Sequence, residues 1–334
     1  MDSLKSGPPI CLSYHFVMPK WIALPTFLAA LITAGCGQQL SGPTNVDLTD
    51  GDGKVQVVAT TGMVGDAVEA VGGDRVEVTT LMGSGVDPHV YKASEGDVIE
   101  LAEADAVFYN GLHLEAKLAD VFERMRSRVP TYAVTDGIPR SRLLAPPGFS
   151  GAHDPHVWFD VRLWMKAVER VRGALSDLDP EHGREYRARA RRELRKLAAL
   201  DRYVRRQAAR VPPRQRVLIT AHDAFNYFGR AYGFEVRGLQ GISTVSEAGT
   251  GDVRDLADFI AARRVPAIYV ESSVSPRAIE AVREAVRSRG FDVQIGGQLF
   301  SDALGEPGTE AGTYPGMVRQ NVDTIVHGLL GGGS

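Results

Sequence analysis

One long helical segment divides this chain into two halves and limits the folds that it can adopt. Residues 179–210 form a polar run in which apolar residues recur every three or four positions, the spacing of one helix face. On either side, short β-branched segments alternate with helical segments, as in βαβ units. Because such units build parallel sheets, we expect an α/β fold of two Rossmann-like lobes. The segment between them is expected to be a long, rigid backbone helix.

The length and composition agree with two lobes. The 334 residues provide roughly 130 residues for each lobe. Apolar residues make up 44% and charged residues 24%, and the net charge of −3 gives no reason to expect nucleic acid as a partner. We expect an N-terminal lobe at residues 54–178, a connecting helix at 179–211 and a C-terminal lobe at 212–330. Within these lobes, a helix is predicted at 112–128 and the last strand at 291–294.

The connecting segment is unusually basic. It holds eleven Lys or Arg residues, with five acidic residues interspersed around a narrow apolar stripe. A nucleic-acid surface and a solvated connector both fit this composition. The interspersed acids favour the connector.

The N-terminus has the pattern of an export signal. Residues 21–35 are apolar and uncharged, too short to span a membrane and suited to a signal peptide. They end in small residues followed by Cys36, which resembles a bacterial lipobox. We therefore expect a lipoprotein signal peptide at 1–35, with Met18 as an alternative start, and lipidation of Cys36. A polar tether at 36–53 would hold the protein on the outer face of a cell membrane or in the periplasm. An ordinary signal peptide with an incidental cysteine is the alternative.

The cysteine count restricts any metal site. Cys11 and Cys36 are the two cysteines of the sequence, and both precede the lobes. A Cys-rich zinc site is therefore excluded from the lobes, so a metal there must be held by His, Asp or Glu.

Four residues have the positions expected of metal ligands. His89 and His156 both end an Asp-Pro-His triplet, and His222 and Asp302 follow predicted strands of the second half. Ligands of doubly wound sheets bind beyond the carboxyl ends of the strands. Facing lobes would therefore combine three imidazoles with one carboxylate. This combination suits Zn, Mn, Fe or Ni better than Ca or Mg.

The residues next to these candidates are expected to support them. Proline before His89 and His156 fixes φ and makes each turn stiff, which lowers the entropy cost of binding. A ligating histidine usually donates its other ring N–H to a carboxylate. Asp87, Asp154 and Asp223 are the candidates for this role.

Seven motifs in order resemble a known family. They read GVDPHVY, YNGLHLEAK, DPHVWFD, HDAFNYF, GLQGIST, ESSVSPR and LFSDALG, and extend from about residue 55 to residue 327. They are similar to those of the cluster A-I metal-binding proteins of ABC transporters, the troA-like manganese and zinc group. The resemblance implies His89, His156, His222 and Asp302 as ligands, a rigid helix between two lobes, and a membrane permease as partner. It also implies a monomeric binding protein rather than an enzyme.

Two questions stay open at this stage. Zinc members of the family that the motifs resemble often carry a His-rich loop before the second ligand. The corresponding residues 139–152 contain no histidine, which favours Mn²⁺ slightly, whereas intrinsic affinity favours Zn²⁺. A metal-dependent hydrolase that uses the same four residues is the alternative function, with Glu247 or Glu271 as base. Either carboxylate is more simply interpreted as a loop cap or as an acceptor behind the ligands. His113, at the start of a predicted helix, is interpreted as structural.

Overall fold

The computed structural model describes residues 49–50, 53–145 and 152–331. The predicted signal peptide, the lipidation site Cys36 and most of the tether lie outside these residues. The part described is a mixed α/β structure with two sets of parallel strands and a long helix, as the sequence predicts.

The N-terminal lobe is built on a five-stranded sheet. Its strands are β1 (Thr49–Asp50), β2 (Lys54–Thr61), β3 (Val76–Met82), β4 (Ala106–Tyr109) and β5 (Thr131–Ala133). Strand β2 pairs in parallel with β3 on one side and β4 on the other, and β4 pairs in parallel with β5. Strand β1 runs antiparallel to the first residues of β2. The carboxyl ends of the four parallel strands therefore point to one edge.

The C-terminal lobe contains two parallel strand pairs. Strand β6 (Val217–His222) pairs with β7 (Glu235–Gln240), and β8 (Ala267–Glu271) pairs with β9 (Gln294–Leu299). Strands β6 and β8 are rich in β-branched residues, and β6 is buried along its whole length.

Nine α-helices are present in the described residues. They are α1 (Gly62–Gly72), α2 (Glu95–Glu103), α3 (Ala119–Met125), α4 (Val161–Leu178), α5 (Gly183–Ala209), α6 (Asn226–Tyr232), α7 (Thr250–Arg263), α8 (Arg277–Arg287) and α9 (Tyr314–Leu329). None of them is both long enough and apolar enough to cross a membrane.

Helix α5 is the predicted connector. Its 27 residues bury Tyr186, Ala190, Leu197, Leu200 and Val204, which recur at the three- and four-residue spacing seen in the sequence. The main core cluster contains these side chains together with residues of both lobes, including Trp164 and Tyr314. Since wide opening would break this shared packing, the connection between the lobes is rigid.

Two predicted elements differ from the structure. The helix predicted at 112–128 begins only at Ala119, because the chain at Gly111, Leu112 and His113 has positive φ angles of 90°, 54° and 65°. The buried Glu115 carboxylate accepts hydrogen bonds from the N–H groups of Asn110 and Gly111 and stabilises this turn. His113 therefore lies in a left-handed turn before the helix. The last strand is three residues later than predicted and begins at Gln294.

Candidate metal centre

Four loop and strand-end positions meet where the lobes face each other. His89 lies in the irregular segment after β3, and His156 precedes a short 3-10 turn that leads into α4. His222 is the last residue of β6, and Asp302 follows β9 by three residues. Two side chains thus come from each half of the chain, at or beyond the carboxyl ends of strands except for His156.

The structure brings all four predicted residues together. One ligand atom from each of His89, His156, His222 and Asp302 lies within 4.8 Å of the others. The Nε2 atoms of His89 and His156 are 3.3 Å apart, and the Asp302 oxygens lie 3.3 Å from His156 Nε2 and 3.2 Å from His222 Nε2. All four residues are at most 3% exposed.

The buried polar atoms of this cluster fit a cation. Both carboxylate oxygens of Asp302 and the Nε2 of His222 are buried without a hydrogen-bond partner. Leaving a buried carboxylate unpaired is costly in a protein interior. A divalent cation would accept lone pairs from all of these atoms at once, and imidazole with carboxylate is the donor set for a first-row transition metal.

Two carboxylates orient two of the histidines. Asp154 lies 2.7 Å from Nδ1 of His156, and Glu271 lies 2.6 Å from Nδ1 of His222. Each carboxylate also accepts a hydrogen bond from the backbone N–H of the same histidine. With Nδ1 held in this way, Nε2 of each ring points to the centre of the cluster and is free to bind metal.

His89 is held differently. Asp87 accepts a hydrogen bond from the backbone N–H of His89 rather than from its ring. The other oxygen of Asp87 accepts a hydrogen bond of 2.6 Å from Thr244 of the C-terminal lobe. The turn that carries His89 is therefore connected across the cleft.

The electrostatics of the three rings differ accordingly. Burial together with the neighbouring histidines outweighs the attraction of Asp302 and lowers the pKa of His89 to about 3. Burial also opposes protonation of His156, but Asp154 and Asp302 outweigh it and raise its pKa to about 9. Glu271 and Asp302 likewise overcome burial and raise the pKa of His222 well above its usual value. In the same way the two imidazoles lower the pKa of Asp302 well below its usual value, despite its burial.

Further contacts join the lobes beside the cluster. The indole N–H of Trp158 donates to the Ser301 carbonyl at 3.0 Å, next to Asp302. The Asn226 amide donates to Asp154, and the Tyr227 hydroxyl donates to the carbonyl of the same residue. These bonds restrict the position of the His156 turn relative to the C-terminal lobe.

Sequence reasoning identified only some of these supporting residues. Asp154 has the predicted role, but Asp223 accepts from the backbone N–H of Gly238 and not from a histidine ring. Glu271, not Asp223, lies beside the His222 ring. This agrees with the prediction that Glu271 is an acceptor behind the ligands. Glu247 is exposed in the loop before α7. Thr244 and Ser301 were missed, and no local pattern marks them, because their partners lie 157 and 143 residues away.

Comparison with known proteins gives the family. The family model described as zinc-uptake complex component A, periplasmic (ZnuA), matches residues 57–328, which includes all four cluster residues. The chain belongs to this family. The match covers both lobes and the connecting helix.

Individual relatives are similar in sequence to this chain over most of its length. The zinc-binding protein TroA of Treponema pallidum is 52% identical over 278 residues, which cover 83% of this chain and 90% of the relative. The manganese-binding lipoprotein MntA of Bacillus subtilis is 44% identical over 312 residues, 93% of this chain and all of the relative. The solved structure of the periplasmic zinc-binding protein TroA from Treponema pallidum superposes with a TM-score of 0.81 and covers 83% of this chain and 99% of that chain.

Proposed function

We propose that this protein captures a divalent transition metal between its lobes and delivers it to the permease of an ABC importer. His89, His156, His222 and Asp302 would be the ligands. The observation that carries this proposal is the convergence of three Nε2 atoms and one carboxylate from both lobes in a buried cluster, with unpartnered donor atoms on His222 and Asp302. The membership of the family and the binding proteins among the relatives support it.

The geometry favours binding over hydrolysis. A catalytic metal keeps an open coordination position for water or substrate. Here four protein donors surround one point, and each donor residue is almost completely buried. Glu271, the candidate base, is committed to two bonds with His222. The metal is therefore interpreted as cargo, and the protein as a carrier rather than an enzyme.

The choice between Mn²⁺ and Zn²⁺ depends on more than the donor set. One relative is named for manganese and another for zinc, at comparable levels of identity. Three imidazoles bind Zn²⁺ more tightly than Mn²⁺ on intrinsic grounds. We propose a site that accepts both metals, in which supply at the membrane decides occupancy.

The anchor is proposed from the sequence. Lipidation of Cys36 would place the mature protein on the membrane that contains its permease, as a monomer that meets it by diffusion in two dimensions. The relative from Bacillus subtilis is named a lipoprotein. Mass spectrometry of the membrane fraction tests this part of the proposal: an acylated N-terminus at Cys36 supports it, and a soluble protein with an unmodified Cys36 contradicts it.

Metal titration tests the main proposal. Purified protein stripped with a chelator should bind one equivalent of Zn²⁺ or Mn²⁺ and show no turnover of ester or phosphate substrates. A His156→Ala variant should lose binding, whereas His182→Ala, at the half-exposed turn before α5, should keep it. Binding by His156→Ala with unchanged affinity, or metal-dependent hydrolysis by the wild type, would contradict the proposal.

A further inference from the structure

Helix α5 has one face that carries only positive charge. Ten residues of the helix are exposed; eight of them are Arg or Lys and the other two are alanines. Glu193 and Asp201 of the helix are buried, and Glu185, with a side chain 42% exposed, forms ion pairs with Arg75 and Arg189. The two acids that lie among the arginines in the sequence, Glu193 and Asp201, are thus absent from the exposed face.

The arginines form a line. Arg184, Arg191, Arg195, Arg202 and Arg206 are separated by steps of seven, four, seven and four residues. At 3.6 residues per turn, this spacing keeps them on one side of the helix over about 33 Å. These five residues are called the arginine line below.

None of the five arginines forms an ion pair within the described residues. The ion pair found on the exposed face joins Lys196 to the buried Glu193. Like charges four residues apart, such as Arg191 with Arg195 and Arg202 with Arg206, destabilise a helix. A row of unpaired like charges is therefore expected to bind a surface of opposite charge.

The ends of α5 lie at the amino ends of the strands. Arg75, directly before β3, forms an ion pair of 3.5 Å with Glu185 near the start of α5. Arg216, directly before β6, donates to the carbonyl of Val211, two residues after the helix ends. The metal centre, in contrast, lies beyond the carboxyl ends of β3, β6 and β9. Each end of the helix is thus at the edge of its lobe that lies opposite the metal centre.

The chain also enters the described structure at the edge of the N-terminal lobe where α5 begins. Strand β1 pairs with Lys54 and Val55, the first residues of β2. Thr49 is 13 positions after Cys36, and even a fully extended chain of this length reaches at most about 45 Å. A tether attached at the amino edge allows that edge to approach the membrane closely.

We propose that the arginine line rests on an anionic phospholipid surface, so that the anchored protein keeps its metal centre turned away from the membrane while it collects metal. This inference depends on the proposed lipid anchor but not on which metal is bound. Arginine guanidinium groups bind phosphate bidentately, which suits phospholipid headgroups. Delivery to the permease then requires the protein to leave this resting position.

The test uses the full lipidated protein in vesicles of phosphatidylcholine alone or with about one third phosphatidylglycerol, a fraction that provides the surface potential on which such basic segments act. A polarity-sensitive dye is attached to an Ala199→Cys reporter, which lies on the exposed face of α5 among the arginines. A second reporter, Glu95→Cys, lies at the start of α2 just after the His89 loop. The α5 dye should shift to shorter wavelength on anionic vesicles only, and the α2 dye should not respond.

Two variants that each remove five positive charges distinguish an effect of the arginine line from an effect of the protein's net charge. One replaces its five residues with Gln. The other replaces five exposed arginines elsewhere with Gln, namely Arg124, Arg126, Arg128, Arg140 and Arg277. The first should lose most of the α5 shift and the second should keep it, and added salt should reduce the wild-type shift.

Several outcomes would overturn the proposal. These are an equal shift on neutral vesicles, equal loss in both variants, or binding of DNA by the arginine line without any vesicle response. Reduced delivery to the permease by the first variant, with its vesicle shift unchanged, would assign α5 to the permease instead. Metal titration and mass analysis of the same samples show separately whether the metal site and the anchor are intact.

Discussion

The Glu271 carboxylate accepts a hydrogen bond of 3.0 Å from the backbone N–H of His222 and lies 2.6 Å from its Nδ1. Both side chains are almost completely buried, and 49 residues separate them in the chain. One carboxylate thus fixes the backbone and the ring orientation of a candidate ligand. His222 therefore presents its Nε2 to the metal centre before any metal arrives.

Replacing Glu271 should weaken metal binding without unfolding the protein. Glu271→Gln keeps the shape but removes the charge that supports His222, so we expect metal affinity to fall about 10- to 100-fold. Competition with a chelator of known affinity measures the change. Glu247→Gln, in an exposed loop, is the matched control and should bind as the wild type does. Equal affinity in both variants would show that Glu271 does not support the ligand.

Removing Asp302 should abolish the gain in stability that metal provides. A ligand that binds only the native state raises its stability, and a metal held by both lobes stabilises both. We therefore expect Asp302→Ala to lose most of the metal-induced rise in Tm, as His89→Ala from the other lobe should. Asp292→Ala, an exposed residue before β9, serves as control. A full metal-induced rise in the Asp302 variant would mean that the carboxylate is not a ligand.

Metal affinity should depend on pH above neutrality. Asp154 and Asp302 raise the pKa of His156 to about 9, and Glu271 and Asp302 raise that of His222, so the metal-free protein favours the protonated form of both rings at pH 7. Metal must displace these protons, so affinity should rise with pH up to about 9. The pKa of His89, near 3, adds no dependence in this range.

Calorimetry in buffers of different ionisation enthalpy counts the protons released. We expect about two per metal ion at pH 7, whereas isolated imidazoles with a pKa near 6.5 would release few. Asp154→Asn should reduce this number toward one, because the charge that favours protonated His156 is lost. An affinity that levels off above pH 7 would contradict this electrostatic description.

Asp66 should make the protein less stable as pH rises. Burial and the nearby Glu193 raise the pKa of this carboxyl from 3.8 to about 7. The folded state thus favours the protonated form, so stability is lost as pH rises from about 4 through 7. Asp66→Asn should therefore raise the free energy of unfolding at pH 8 by on the order of 1 kcal/mol. This corresponds to a rise in Tm of about 2–4 °C. The gain should disappear at pH 4.

The exposed Glu103 at the end of α2 provides the control, and Glu103→Gln should leave Tm unchanged at both pH values. A gain for Asp66→Asn that is equal at pH 4 and pH 8 would show that ionisation is not its cause.

Prediction from the local apolar pattern was wrong where a contact with a distant residue determines the backbone conformation. The segment 112–128 has a helical distribution of apolar residues, yet Leu112 and His113 adopt positive φ angles. The carboxylate of Glu115 binds the Thr60 hydroxyl, 55 residues earlier, together with two backbone N–H groups. Those bonds compensate for a left-handed turn that propensity alone would not predict.

The proposed limits of the lobes, at 178 and 212, stay a prediction.

The sequence by itself determined the alternation of strands and helices, the long connector and the four residues that meet at the centre. These features are local, since periodicity and the strand-end position of a histidine can be read within a few residues. Only the tertiary structure shows that Glu271 and not Asp223 supports His222, that Thr244 reaches Asp87, and that Glu193 and Asp201 of α5 are buried. Each depends on packing between segments far apart in the chain, and burial and charge there are properties of the assembled core.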